Sequence, residues 1–213
     1  DQSSEQSNNL SQPQIMLEAT LYNLEEGYEI SVPTEAISHQ MLETTSLPPE
    51  SGKSRYLVSY EIAIPEAVFE TVPGDVQSLG GPWFEDSDWD DYGAVVAHIG
   101  AQYSSDDQNS YVKVDYYRMW WNIYDPAVSI SNGRLEAFCW GDYVYQGGNC
   151  GPKLEYIDLT TTQPSTYYYI YPSWSGLWTK YNDLGYCQKG KSLVTLTRGG
   201  SSSRFEFVIG WGA

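Results

Sequence analysis

Residues 55–64 read RYLVSYEIAI, and Tyr56, Val58, Tyr60, Ile62 and Ile64 share one parity of that run. An apolar residue at every second position is the mark of a half-buried β-strand, because successive side chains point to opposite faces. The same period returns along the chain. Residues 92–103 gather Val95, Ala97, Ile99 and Ala101 on one side with His98 opposite, and residues 203–212 set Phe205, Phe207, Ile209 and Trp211 against Glu206 and Val208. Helical spacing is scarce. One helix is expected over about residues 34–43, with Pro33 in its first turn, and one further turn over residues 65–69.

Turn chemistry refines the picture. Asn132-Gly133 is expected to close a two-residue hairpin, since both central residues of a type I′ turn need positive φ. Ile130 would then face Leu135 and Val128 would face Ala137, with Cys139 extending that apolar face. Residues 111–124 (YVKVDYYRMWWNIY) change phase: Val112, Val114 and Tyr116 occupy one parity, and Met119, Trp121 and Ile123 the other. A one-residue bulge near Tyr117-Arg118 would keep both sets inward. Residues 191–197 are expected to pair with residues 204–210 across a loop around Gly199-Gly200 and residues 201–203, and residues 167–171 (YYYIY) form another short strand. Eight or so strands, frequent loops and no βαβ spacing predict an all-β fold: one antiparallel β-sandwich, jelly-roll or immunoglobulin-like, with at most one or two short helices. It would occupy residues 15–213 behind a flexible polar leader, residues 1–14.

Composition excludes several classes. The 213 residues include 28 acids against 11 Lys and Arg, a net charge of −17, which argues against a nucleic-acid partner. No apolar run reaches the roughly 20 residues that span a bilayer, so no membrane insertion is expected. A content of 19 Tyr, 8 Trp and 5 Phe is too aromatic for a disordered chain. Charge is uneven: residues 1–110 carry 20 acids and 2 bases, and residues 111–213 carry 8 acids and 9 bases. An acidic end and a mildly basic patch containing Lys180, Lys189, Lys191, Arg198 and Arg204 follow, either as solvated faces or as a basis for head-to-tail self-assembly.

The start at Asp1, the polar leader and the Lys-poor surface suggest export to an extracellular or cell-surface setting. Three cysteines allow one disulfide. Cys150 and Cys187 both lie in loop-like sequence and are the first expected pair, with Cys139–Cys150 the second; Cys139 would otherwise be a buried, inert thiol.

Five constellations bear on function. Asp86, Asp88 and Asp90, in the acidic run of residues 85–91, present oxygens spaced for Ca²⁺, although the EF-hand pattern fails at Asp91 and Ala97. Otherwise the run is a solvated loop and no cofactor is expected. Aromatic clusters nominate Trp120, Tyr117, Tyr124, Tyr168, Trp174 and Trp178 as ligand-binding, because exposed Trp and Tyr offer flat apolar faces with a polar edge. Glu136 and Glu206 lie opposite their apolar neighbours on strands, where a glycosidase pair would need to converge. Cys187 with His98 has no local signature of a nucleophile–base pair. Ile15, Leu17, Ala19 and Leu21 form an alternating strand on a tether, suited either to strand exchange with a neighbouring copy or to the first strand of its own sheet.

The leading expectation is a secreted, non-catalytic β-sandwich that binds a glycan or another extracellular surface through exposed aromatics. A filament or surface-layer subunit built by N-terminal strand exchange is the first alternative. A jelly-roll carbohydrate-active hydrolase is the second.

Overall fold

The computed structural model describes residues 15–25, 27–32, 37–46, 53–65, 93–106, 111–142, 150–180 and 186–212. Alternation becomes strands throughout: β1 (Ile15–Asn23), β2 (Glu29–Ser31), β3 (Ser38–Ser46), β4 (Lys53–Ile64), β5 (Val95–Asp106), β6 (Tyr111–Ile123), β7 (Val128–Cys139), β8 (Lys153–Asp158), β9 (Tyr168–Ile170), β10 (Thr179–Lys180), β11 (Tyr186–Arg198) and β12 (Ser201–Gly212). They form two antiparallel sheets packed face to face. Sheet A has the order β2-β1-β12-β11-β7-β8; sheet B has the order β10-β6-β5-β4-β3, with β9 also paired to β6. The expected antiparallel sandwich is the fold.

Tyr56, Val58, Tyr60, Ile62 and Ile64 of β4 point inward as their parity requires, most of them buried. They meet Ala97, Ile99, Ala101 and Tyr103 of β5 and, across the gap, Phe205, Phe207, Ile209 and Trp211 of β12. Tyr117 of β6 makes a close contact between the sheets. A Cβ on Gly190 of β11 would lie 2.2 Å from the Tyr117 ring, so the ring rests directly on bare backbone. Trp211 flanks it at 6.2 Å.

Several local expectations need correction. Residues 38–43 are not helical: they belong to β3, which pairs with β4 from Ser38↔Glu61 onward. Pairing to a well-formed neighbour outweighs weak helical propensity in a short segment. The turn expected at residues 65–69 lies, beyond Pro65, outside the described residues. Asn132-Gly133 does not close a hairpin. β7 runs straight through it, and the pair bulges against β11, where Leu193↔Arg134 is followed by Thr195↔Ser131. Asn132 takes a positive φ of 51° but Gly133 does not, and a type I′ turn needs both. One left-handed residue gives a bulge, which keeps Val128 on the same side as Leu135 and Ala137. The two-residue turn is instead Gly199-Gly200, with φ of 58° and 93°, joining Arg198 to its partner Ser201.

The β6 bulge exists but lies two residues earlier than expected. Gln102↔Tyr116 is followed by Tyr103↔Val114, so Asp115 is the extra residue. Tyr117 therefore faces the core beside Met119 and Trp121, and Tyr116 faces outward. β1 pairs with β12 over its whole length, from Ile15↔Trp211 to Asn23↔Ser203. The segment nominated for strand exchange thus lies within its own sheet, where Ala19 and Leu21 are buried.

The disulfide is Cys139–Cys150, not Cys150–Cys187. β7 and β8 form a hairpin ending at Cys139↔Lys153, which returns Cys150 to the end of the strand the chain has just left. Cys187 is a buried free thiol whose burial pushes its pKa up to about 12. The expected basic patch is largely neutralised in place. Lys191 contacts Glu136 and Glu206 at 3.4 and 3.2 Å, Arg204 contacts Glu206 at 2.8 Å, and Arg198 reaches Asp125 at 2.6 Å.

Gly190→Ala is expected to destabilise the protein by about 1–3 kcal/mol, the usual cost of overpacking, and to lower Tm by several degrees. Thermal denaturation checks this, and the loss should shrink in a Tyr117→Leu background because the clash is with that ring. Thiol titration without reductant should find no reactive cysteine in the native protein. In denaturant it should find one per chain, and mass spectrometry should place the label on Cys187.

Candidate functional site

The outer face of sheet B carries the one ordered array of exposed rings among the described residues. Once Asp115 has bulged out, Tyr116, Arg118, Trp120 and Asn122 of β6 point away from the core. β9 runs antiparallel beside them with Arg118 opposite Tyr169. Alternation through the YYYIY segment then points Tyr167, Tyr169 and Tyr171 to the same side. Six side chains form two parallel rows: Tyr116, Arg118 and Trp120 on β6, and Tyr171, Tyr169 and Tyr167 alongside. The three tyrosines of the second row are near-parallel, with centroids 6.5 and 6.3 Å apart and interplanar angles of 26° and 22°. Across the rows, Trp120 lies 4.7 Å from Tyr167, and Tyr116 lies 5.3 Å from Tyr171 and 5.5 Å from Tyr169. Tyr167, Tyr169 and Tyr171 are 52%, 39% and 65% exposed, so the row is open to solvent.

Arg118 occupies the middle of this array. Its guanidinium carbon lies 5.1 Å from the Trp120 ring centre and 5.8 Å from that of Tyr167. Gly100 of β5 provides the floor beneath it. A Cβ there would stand 3.0 Å from Arg118 Nε and 2.6 Å from the Val58 carbonyl oxygen. One row further, His98 stacks on Trp120 at 4.3 Å and 8°. The Glu61 carboxylate lies 3.2 Å from its Nδ1, but burial and the nearby Arg118 charge dominate and hold the His98 pKa down to about 4. The ring is neutral at pH 7. With Asn122 Nδ2 donating to His98 Nε2 at 3.0 Å, the imidazole proton sits on Nδ1.

The same network fixes the second row. Ser165 donates its hydroxyl to Asn122 Oδ1 at 3.1 Å and its N–H to the Trp121 carbonyl at 2.6 Å. Tyr168 turns inward, 5.9 Å from Trp121, and its hydroxyl donates to the Thr161 carbonyl while accepting from Gln163 N–H. The loop that delivers Tyr167 is therefore tied at several points.

The sequence-nominated residues divide accordingly. Trp120 belongs to the array. Tyr124, 66% exposed, lies just past the end of β6 on the same parity. Tyr117 and Trp174 are excluded as ligand contacts, because both are buried in the core. Tyr168 is a bracing residue, its face turned to Trp121. Trp178 is half-buried and covered by Lys53 and Lys113 ammonium groups, 4.7 and 5.8 Å from its ring centre. Asp86, Asp88 and Asp90 lie outside the described residues. Tyr116, Arg118 and Asn122, and Tyr167, Tyr169 and Tyr171, were not among the expected site residues; the signal for the first three was the parity of β6, misread by the position of its bulge, and alternation gave none for the three tyrosines.

Sheet A carries two further polar features on its outer surface. Glu136 and Glu206 do not converge on a cleft; Lys191 sits between them, and Arg134 and Arg204 flank them in an ion-pair ladder across sheet A. A groove of about 380 Å³ opens at the Asn132 bulge, lined by Arg134, Asp158, Leu193 and Arg204. Its two arginines are already bound to Asp158 and Glu206.

Protonating buried His98 opposes folding, so its contribution has a definite sign. The unfolded chain takes the proton first, near pH 6.5, while the folded chain resists it down to about pH 4. Stability should fall as pH drops through that window, and chemical denaturation of His98→Gln should show a flatter dependence there. No family model matches the chain, and neither the curated proteins nor the solved structures contain a match to it.

Proposed function

We propose that the protein is a non-catalytic binding module that recognises a glycan on the outer face of sheet B. The observation that carries this reading is the line of three near-parallel, exposed tyrosines beside Trp120 and Tyr116. Sugar rings present C–H faces that pack on aromatic rings while their hydroxyls reach polar groups at the rim. A line of ring faces along one strand suits an extended chain of sugars, and Asn122, Gln102 and the tyrosine hydroxyls supply the rim. Pre-organisation adds to this. Ser165, Asn122 and His98 hold the rows in place before a ligand arrives, which lowers the entropy lost on binding.

The setting proposed for this activity is extracellular or at a cell surface. The Cys139–Cys150 disulfide is of the kind that persists in oxidising compartments. Among the described residues no helix is long and apolar enough to cross a membrane.

Titration with a panel of oligosaccharides, read by tryptophan fluorescence, tests the proposal. A bound glycan should shift or quench the Trp120 emission. Trp120→Ala and Tyr169→Ala should each weaken binding about tenfold or more, the loss expected of an aromatic anchor. Tyr169 is exposed, so the melting temperature of its variant should stay near that of the wild type, whereas Trp120→Ala also loses its stacking on His98 and Tyr167 and should melt lower. A broad glycan array that yields no signal overturns the reading.

A further inference from the structure

Arg118 is the anomaly of the aromatic face. It is only 9% exposed, and its Nε is enclosed without a hydrogen-bond acceptor. No carboxylate lies within ion-pair distance of it among the described residues. Every other arginine in the described strands has one: Arg55 with Asp115, Arg134 with Asp158, Arg198 with Asp125, Arg204 with Glu206. The two carboxylates of the surrounding face are committed elsewhere. Asp115 is shared by Arg55, Lys113 and the Gln102 amide, and Glu61 sits on β4 against His98.

A guanidinium desolvated without a counter-ion is costly, and ring faces offset only part of that cost. The fold nevertheless provides for it. Gly100 leaves the space in which the side chain lies down, and Trp120 and Tyr167 hold its charged end in the centre of the array. Guanidinium is also the group whose planar fork matches a carboxylate with two parallel hydrogen bonds.

We infer that Arg118 reads a carboxylate, so that the ligand of this face is an acidic sugar, a uronic acid or similarly carboxylated unit within a glycan chain. This rests on the carbohydrate reading given above and narrows it. One sugar would stack on the tyrosine line with its carboxylate turned to Arg118. The global charge of −17 works against any acidic polymer, so affinity for one has to come from a local contact of this kind.

The test compares polygalacturonate, alginate and hyaluronan with their methyl esters by isothermal titration calorimetry on the wild-type protein. Esterification removes the charge and leaves the rings. At least one acid should bind roughly tenfold to a hundredfold more tightly than its ester, the range of a charge-assisted hydrogen-bonded contact. Arg118→Met should abolish that preference, Arg118→Lys should retain part of it, and Tyr169→Ala should weaken acid and ester alike. Equal affinity for acid and ester, or binding of neutral glycans alone, overturns the inference and leaves the carbohydrate reading standing. Failure to bind any acid, ester or neutral glycan removes both. The wild-type comparison needs no variant, so a misfolded Arg118→Met protein does not blunt it.

Discussion

The contact of the Tyr117 ring with the bare backbone of Gly190 sets how closely the two sheets approach. Sheet packing normally relies on interdigitating side chains from both inner faces. Here one partner has none, and an aromatic ring fills the space. Tyr103, Trp211 and Phe207 then pack around a distance already fixed. The phase of β6 follows from the same contact. With Tyr117 locked inward, Tyr116, Arg118 and Trp120 have to face out, and the bulge at Asp115 reconciles that parity with Val112 and Val114. The core and the candidate site are thus two faces of one strand, and neither can slip by a residue without the other.

Much of the fold was legible because period-2 alternation is strong wherever one face is buried. β4, β5 and β12 follow their apolar parity residue by residue, and β11 pairs with β12 as expected, but two residues out of the expected register because residues 201–203 belong to β12 and not to the loop. The errors share a physical character. Asn-Gly reports that a left-handed residue is needed, which holds for a hairpin turn and for a bulge alike; only the second φ separates them. The apolar faces around Asn132 were still assigned to the right side, because both devices shift parity in the same way. The helix expected over residues 34–43 failed because local propensity in a short segment yields to a neighbouring strand's unpaired edge.

The site was half legible for a related reason. An aromatic run such as YYYIY is apolar on both parities, so alternation gives no sign of which rings meet the core. Tyr168 went inward through its bond to Thr161, and its neighbours went outward. A bulge displaced by two residues was enough to exchange Tyr116 and Tyr117. Arg118 left no mark at all, because a lone cation on a strand reads as a solvent-facing charge. Its burial depends on Gly100, a residue of a different strand that sequence pattern does not connect to it. The cysteine pairing escaped for want of the β7–β8 hairpin, which makes two residues that look unrelated into neighbours.

The two rows of rings differ in how they are anchored. Tyr116 and Trp120 belong to a strand of thirteen residues paired along its length with β5. Their counterparts lie on and beside β9, a rib of three residues held by its pairing to β6, by the Ser165 contacts with Asn122 and Trp121, and by the Tyr168 hydroxyl. Changes of length or composition between β8 and β10 therefore reshape one jaw of the platform while the other stays put. A change in that rib therefore alters the exposed tyrosine row without rebuilding the body that carries it.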